Sequence, residues 1–528
     1  MKRLIRSGFI PAAILTVAGM VTYLLCVPPN PDDIRNQTLI VLAGLVLWFF
    51  LFARQLGKPN EETAHQGLEK HRTPAPPKEM LFKEPTGFVF GKYGKKYVCR
   101  PVEAPGNILV LGGTGTGKSS ALIIPYILEQ KRSGKAHNII VDIKGELRDL
   151  TVRPGDGSVI VDPTDRRSYG IDPFWCLNSD SSPQQIFEIC QLVAISLIPA
   201  RDGKDAFWTT SAQQMLLGFL LYAYKWKELR TLTDCLTWIL SHPVEELSEE
   251  VLTTAMPGSD EYMAIIDYGK GAAKETVGGI FSNLKQVIFP LVSDKDVGYC
   301  LGTNPRKYRP DMVLSSDVYL CIPQNKLEQY GRLVFLAINL FCLWALALPQ
   351  KLQDPDRPYL GVIIDETTAL LAGLGTGIPL VVQMLRICRS LGIMMLIATQ
   401  SIEGLRCVYS KEQTDDLISN CLYRVVLNAT TPDSQRMISD WAGVYRRQNT
   451  TWNQQQTGGR TTSVSYSEEK VVRPEDLNTL GGSDELVLIS SIGGYNRLKK
   501  VPYYKEPYFR KIFKDIQNTK KNGVNEDE

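Results

Sequence analysis

Residues 109–127, LVLGGTGTGKSSALIIPYI, open as an apolar run, turn through glycines and close in a helix-forming stretch. Within them Gly112-x4-Gly117-Lys118-Ser119 has the spacing of a phosphate-binding loop, in the strand–turn–helix context the motif requires. Gly112, Gly113, Gly115 and Gly117, with Thr114 and Thr116 between them, let successive backbone N–H groups converge on phosphate oxygens. The helix opening at Ser119 and Ser120 adds the positive end of its dipole. Lys118 has the reach for β- and γ-phosphates, and the Ser119 hydroxyl suits a Mg2+ ligand. A Gly/Thr-rich turn without a ligand is the plainer reading. With strand and helix both in place, the reading adopted is a nucleoside triphosphate site taking ATP and Mg2+.

Such a loop needs acids opposite it. The apolar run VIID ends in Asp365-Glu366. Asp365 is the candidate for the Mg2+ shell, through water, and Glu366 the candidate to orient and polarise the attacking water. Gln400 closes the next apolar run in Ala398-Thr399-Gln400-Ser401 and is the candidate γ-phosphate sensor; capping the following segment is the alternative. Arg386 and Arg389, in LRICRSLG between the two runs, are candidates to enter a neighbouring subunit's site as an arginine finger, Arg389 the stronger, with a solvated helix face as the alternative. Asp142, Lys144 and Glu146 also follow a strand and are read as structural, not catalytic.

These residues need a sheet to bring them together. Apolar runs at 138–147, 158–165, 317–323, 359–371, 392–401 and 422–430 alternate with helical segments, the pattern of a parallel sheet covered on both faces. Its ligand belongs beyond the carboxyl ends of the strands. The apolar segment 332–348 reads as a buried helix. Between roughly 180 and 312 strand signals vanish, and 207–226, 231–241 and 275–292 read as amphipathic helices of an inserted all-α domain. Residues 449–467, rich in Gln, Thr, Ser and Gly, read as a mobile surface loop. Lys92 to Tyr97 alternates lysine and tyrosine, and a hairpin with solvated lysines is preferred there to a DNA-stacking surface.

At the N-terminus, Gly8–Val27 is an apolar run of membrane-spanning length; prolines at 28, 29 and 31 break it, and Thr38–Ala53 forms a second run. Lys2, Arg3 and Arg6 before, and Arg54 and Lys58 after, place both ends in the cytoplasm. The basic residues of 54–80 suit anionic lipid or a solvated tether equally. The expected organisation is a transmembrane hairpin at 1–56, a linker at 57–84, a nucleotide-binding domain split into 85–180 and 313–515 by the all-α domain at 181–312, and a disordered tail at 516–528. The chain of 528 residues carries a formal charge of only +3, so any basic surface must be local. Its 11 cysteines form no C-x-x-C pair and its 4 histidines are scattered, which argues against a zinc site or disulfide framework and for reduced, buried thiols.

The ordered set GFVFG (87–91), GGTGTGKSS (112–120), VDIKGEL (141–147), DP…GIDPF (162–174), FW…A (207–212), IIDETTALL (363–371), RSLGIMMLIATQS (389–401) and VVRPEDLNTLGGSDELVLIS (471–490) resembles the coupling proteins of conjugation and type IV secretion, the TraG/TraD/TrwB type. The resemblance implies a RecA/FtsK-like ATPase anchored in the bacterial inner membrane, forming a ring, usually a homo-hexamer, at the cytoplasmic entrance of a secretion channel. It implies recruitment of relaxase-bound DNA or of protein substrates and their transfer at the expense of ATP. Lys118, Ser119, Asp365, Glu366 and Gln400 occupy the family's motif positions, and Arg389 matches the arginine ahead of the glutamine strand. The sequence ends soon after KEPYFRKIF (505–513), so docking through a long C-terminal extension is not expected. The competing reading is a membrane docking receptor for protein effectors whose nucleotide only assembles the ring.

Overall fold

In the computed structural model the described residues are 75–104, 106–199, 206–374, 377–454 and 460–524. The expected membrane hairpin, and the linker up to residue 74, lie outside them. Of the described residues, those up to 445 and those from 469 onward form one compact unit, and 446–454 with 460–468 belong to another.

The first unit is built on twelve strands: β1 (Leu81–Phe82), β2 (Phe88–Tyr93), β3 (Lys96–Arg100), β4 (Ile108–Leu111), β5 (Ala136–Asp142), β6 (Val159–Val161), β7 (Val318–Cys321), β8 (Tyr359–Ile364), β9 (Ile393–Thr399), β10 (Tyr423–Val426) and, after the pair β11 (Val444–Gln454) and β12 (Arg460–Lys470), β13 (Glu485–Ser490) and β14 (Gly494–Lys499). They form a single sheet in the order β1-β3-β2-β14-β13-β10-β4-β9-β8-β5-β7-β6. From β10 to β6 every pairing is parallel. From β10 outward through β13, β14, β2, β3 and β1 every pairing is antiparallel. The sheet is therefore mixed, not simply parallel: short turns join β2 to β3 and β13 to β14, and such connections permit only antiparallel neighbours. Gly94, at φ +61°, opens the two-residue β2–β3 turn, confirming a hairpin at Lys92–Tyr97. There Lys92 pairs with Glu506 at 2.7 Å.

The runs of the parallel half are apolar throughout because both faces are covered. Alternate residues serve two cores: Leu109, Leu111, Ile364, Met395 and Ile397 join one, Ile108, Val110, Ile363, Leu396 and Ala398 the other. Helices α1 (Ile124–Ser133) and α2 (Glu146–Thr151) follow β4 and β5. Between β6 and β7 the described residues hold only helical elements, among them α3 (Pro183–Leu197), α4 (Ala206–Lys225), α5 (Leu232–Ser241), α6 (Val244–Thr254), α7 (Asp260–Ile266), α8 (Lys274–Ser293) and α9 (Lys295–Cys300). Helix α3 begins with a full capping box, Ser182 to Gln185, and proline at its first position. These helices do not close a core of their own. Phe219, Leu236, Phe281 and Leu284 share one cluster with sheet residues Val141 and Leu320. Helix α10 (Leu327–Leu346) has the length and apolarity to cross a membrane, but 72% of its most apolar window is buried inside the protein, as expected of a core helix.

Three expectations change. The linker does not run to residue 84, because Leu81 and Phe82 pair with β3. Residues 516–524 are not a disordered tail but part of helix α11 (Pro507–Val524). Phe509, Ile512 and Ile516 fall at i, i+3 and i+7 and bury against the core beneath α1, and that stripe outweighs the charged composition. The segment 449–467 is largely extended in the β11–β12 ribbon rather than a loop; its Thr, Val and Tyr residues favour strands even though few are large and apolar. Among the described residues all ten cysteines are free, eight of them buried.

Phe509→Ala removes a fully buried ring and is expected to cost about 3–5 kcal/mol of stability. Denaturant unfolding of the full chain checks this; an unchanged midpoint would return the C-terminus to a tail.

Candidate nucleotide site

The loop leaves β4 between two neighbours that fix it. Gly112 N–H donates to Thr399 O at 3.1 Å, on the β9 side, and Gly113 N–H donates to Asn428 Oδ1 at 2.7 Å, just beyond β10. Gly115 and Gly117 take φ of +78° and +98°, conformations open to glycine at little cost. The Thr116 hydroxyl closes the turn onto Gly113 O at 2.8 Å. Lys500 Nζ holds Thr116 O at 3.1 Å, and Tyr503 N–H holds Ser120 O at 3.0 Å, so the segment after β14 buttresses the loop. Thr114 is exposed at its tip. Lys118 is buried, with Nζ donating to Gly112 O at 2.7 Å and Gly113 O at 3.2 Å.

Strand β9 stands between β4 and β8, so the loop meets the acidic pair across one intervening strand. It does meet it: Ser119 Oγ donates to Asp365 Oδ2 at 3.1 Å, and Lys118 Nζ lies 3.8 Å from Glu366 Oε1. Gln400, at the end of the intervening strand, donates through Nε2 to Glu366 Oε2 at 3.1 Å. From β5, on the other side of β8, Lys144 Nζ donates to Glu366 Oε1 at 2.9 Å. Glu366 therefore has both oxygens occupied by donors from the flanking strands. Its backbone is held at φ +53°, an uncommon conformation for a residue with a side chain, costing of order 1–3 kcal/mol that the surrounding bonds must offset.

The electrostatics differ across the pair. Burial pushes the Asp365 carboxyl above its ordinary range and the Glu366 charge adds to this, while Lys118 opposes it. Burial acts the same way on Glu366, but hydrogen bonds from Lys144 and Gln400 and the charge of Lys118 overcome it and hold that carboxyl below its ordinary range. Burial also lowers Lys118, against the two acids, with Lys144 adding repulsion. Asp142, at the end of β5, is pushed up to about 6 by burial, with hydrogen bonding from the Arg148 backbone opposing and Asp365 adding. The site thus separates a depressed carboxylate, Glu366, from a raised one, Asp365, whose ionised form a nearby cation would favour. Ser119 and Asp365 present hard oxygen donors, and the donor set fits Mg2+, which uses one or two protein oxygens together with waters and phosphate. Among the described residues no group of three or more His, Cys, Asp or Glu is placed to cage a metal.

Lys118, Ser119, Asp365, Glu366 and Gln400 converge as the sequence suggested. Arg389 does not join them: it is exposed, at the far end of β9, so 7 strand residues or about 23 Å separate it from Gln400. Arg386 is engaged by Asp416 at 2.8 Å. Sequence reasoning read Lys144 as structural, without its bond to Glu366, and missed Asn428 and Lys500. Lys144 and Asn428 follow apolar runs, the same signal that singled out Gln400, but their value depends on which strands are neighbours.

A family described as type IV secretory system conjugative DNA transfer matches residues 61–526. The chain belongs to that family. This family member is 24% identical over 417 residues to the protein VirD4 of Agrobacterium fabrum, covering 77% of this chain and 60% of that one. It is 25% identical over 448 residues to VirD4 of Rhizobium rhizogenes, covering 81% and 63%. The chain thus spans about three-fifths of the length of these curated relatives. Its fold is similar to that of the conjugative coupling protein TrwB without its first 70 residues, with a TM-score of 0.62 at 18% identity, over 79% of this chain and 89% of that one. A TrwB complex with ADP and Mg2+ gives 0.60 at 17% identity, over 80% and 91%. The shared feature is an α/β fold with a large mixed sheet.

An acid whose folded-state pKa exceeds its unfolded value binds more protons when folded, so its contribution weakens as pH rises above the ordinary carboxylate range. For Asp365 this is a cost at neutral pH. Asp365→Asn keeps an oxygen acceptor for Ser119 and is expected to melt no lower than the parent at pH 7.5. A thermal midpoint several degrees lower would show that the fold needs the charge.

Proposed function

We propose that the chain is the ATPase of a conjugative DNA-transfer coupling complex, with a RecA-like P-loop domain that binds and hydrolyses ATP. The contact that carries this reading is Ser119 Oγ to Asp365 Oδ2 at 3.1 Å, with Lys118 Nζ 3.8 Å from Glu366: the phosphate loop and the acidic pair share one site. The backbone N–H groups of Gly115, Gly117, Lys118 and Ser119 and the Lys118 ammonium bind and orient the triphosphate, while the Gly113 N–H is held by Asn428. Ser119 and Asp365 would hold Mg2+, which when bound neutralises charge on the β- and γ-phosphate oxygens. Glu366, kept ionised by its donors, accepts a hydrogen bond from the attacking water and polarises it. Gln400, bonded to Glu366 at 3.1 Å, relates the position of that carboxylate to the γ-phosphate. Lys144 acts through Glu366 as a positioning residue.

Arg389 is too remote to serve its own site, and its exposure suits entry into a neighbour's, in a ring that is a homo-hexamer on the family resemblance. The family description supports DNA transfer as the work done. Relaxase-bound DNA, protein substrates and type IV secretion channel components are the proposed partners. The apolar runs at 8–27 and 38–53 support an anchor of two spans in the inner membrane, in contact with lipid, with the ATPase domain in the cytoplasm.

Glu366→Gln is expected to retain ATP binding and lower hydrolysis about 10²-fold or more. Lys118→Ala is expected to abolish both, and single-stranded DNA to stimulate only the parent. Retained DNA transfer by Glu366→Gln would favour the docking receptor, since a motor stops when hydrolysis stops. Hydrolysis per chain should rise with concentration and lose that rise in Arg389→Ala.

Lys144→Ala removes a donor that holds the Glu366 carboxyl low, so its pKa rises and the acid limb of the hydrolysis pH profile moves to higher pH. Lys144→Arg should restore the limb. An acid limb unmoved in Lys144→Ala would reduce the lysine to a surface ion pair.

A further inference from the structure

Beyond β6, at the edge of the parallel half, lies an open cleft of about 1310 Å3. Five strand spacings, about 24 Å, separate β6 from the phosphate-loop strand. Three pieces of chain build the cleft: the turn Pro173–Cys176 with the residues after it, the end of α4 with Arg230 and Thr231, and the loop 302–309. They are bolted together. The buried Asp172 carboxylate accepts from Phe174 N–H at 3.0 Å and from Leu232 N–H at 3.1 Å, joining the first two. Gly170 N–H donates to Arg306 O at 2.8 Å and Tyr308 N–H to Gly170 O at 3.0 Å, joining the third. Gly170 has to be glycine, because a Cβ there would lie 2.3 Å from Cys300 O.

The lining contains Lys225, Arg230, Arg306, Lys307 and Arg309 and no aspartate or glutamate. Lys225 and Arg309 are paired with Glu261 and Asp311. Among the described residues Arg230, Arg306 and Lys307 form no ion pair, and the one acid that feels the charge of Lys307 is the buried Asp172 behind the lining; Arg230 and Arg306 are held by backbone carbonyls, Tyr224 O at 2.5 Å and Arg167 O at 2.6 Å. Two of the cations sit on aromatic rings, Lys307 Nζ 5.1 Å from the Trp175 ring and Arg230 4.4 Å from the Tyr224 ring. Ser179, Ser181 and Thr303 add hydroxyls.

We propose that this cleft binds a segment of single-stranded nucleic acid, its phosphates on Arg230, Arg306 and Lys307 and a base against Trp175. Unpaired cations interleaved with aromatic rings are what tracking a backbone while stacking bases requires. An acidic peptide would use the cations but offers Trp175 no base to stack. The volume exceeds that of ordinary small-ligand pockets, which suits several nucleotides rather than one. The identity of the occupant rests on the DNA-transfer reading; the cleft's chemistry is independent of ATP hydrolysis.

The test is fluorescence anisotropy of a labelled oligothymidylate with the full chain across a range of salt. The double variant Arg306→Gln/Lys307→Gln is expected to bind at least tenfold more weakly. Its slope of log K against log salt should flatten by about 1.4, since each single-strand phosphate that a cation no longer neutralises takes about 0.7 from the slope. Lys411→Gln, an exposed cation elsewhere, should bind like the parent, and basal ATPase should be unchanged in both. Should the double variant melt below the parent, Arg230→Gln, on a different wall, is expected to show the same weakening with half the change in slope. Unchanged affinity in a folded cleft variant would overturn the proposal. So would polyglutamate displacing the oligonucleotide as effectively as unlabelled oligothymidylate, which would assign the cleft to an acidic protein. Oligonucleotide binding without ATPase in the parent would sink the hydrolysis reading and leave the cleft standing.

Discussion

Everything at the nucleotide site depends on keeping Glu366 charged where little water reaches it. Glu366 and Asp365 are both 7% exposed, and two adjacent buried carboxylates repel one another. The protein answers with two lysines, Lys118 and Lys144, so four formal charges cancel within one cluster. Removing either lysine from such a set leaves a buried carboxylate charge uncompensated, which costs more than an exposed pair ever contributes. Because Lys144 is 42% exposed and Lys118 only 4%, the compensation is graded, with one lysine fixed inside the loop and the other within reach of solvent. Glu366 is consequently the oriented member of the pair and Asp365 the one that gains most from a further cation.

That cluster dictates the strand order. Lys118, Gln400, Glu366 and Lys144 follow β4, β9, β8 and β5, which are consecutive in the sheet. Moving any of the four strands would break a contact around the glutamate. The intervening strand has a second consequence. All seven residues of β9 are buried; Gln400 follows its last residue, and the turn bearing Arg389 precedes its first. On the proposed reading, one stiff element links a group touching its own site to a group offered to a neighbour's. A packed strand transmits a shift of one end to the other better than a loop could, because dense interiors deform little.

Much of this was legible in the sequence, and the limits are physical. The phosphate loop is read from local spacing, since its glycines, lysine and serine act on one ligand from one turn. The acids and Gln400 are read from their positions after apolar runs. Lys144 carries the same mark, but its role appears only once β5 is known to flank β8, and adjacency is a tertiary fact. The antiparallel half escaped for a similar reason: β13 resembles the other apolar runs, β14 (GYNRLK) is too polar to stand out, and only the short turn between them sets their direction. In α11 three apolar residues outweigh a charged composition, and in the β11–β12 ribbon strand propensity outweighs polarity. Composition alone misjudges both.

The cleft beyond β6 shows how far a total can mislead. A net charge of +3 over 528 residues reads as balance, yet balance is an average over surfaces that fold apart. Glu261 and Asp311 are spent on Lys225 and Arg309, while the three cations at 230, 306 and 307 line one cleft that no acid faces. No window of the sequence contains that group, because some 76 residues separate Arg230 from Arg306 and the intervening chain is helical. What brings them together is the carboxylate of Asp172 and the close approach at Gly170, neither of which is a binding group. The helical segment between β6 and β7 therefore does more than cover the sheet: its two ends and the turn after α4 meet at one edge and concentrate charge there. On the proposed reading this is what a nearly neutral protein needs, since an evenly basic surface would bind nucleic acid everywhere and guide it nowhere.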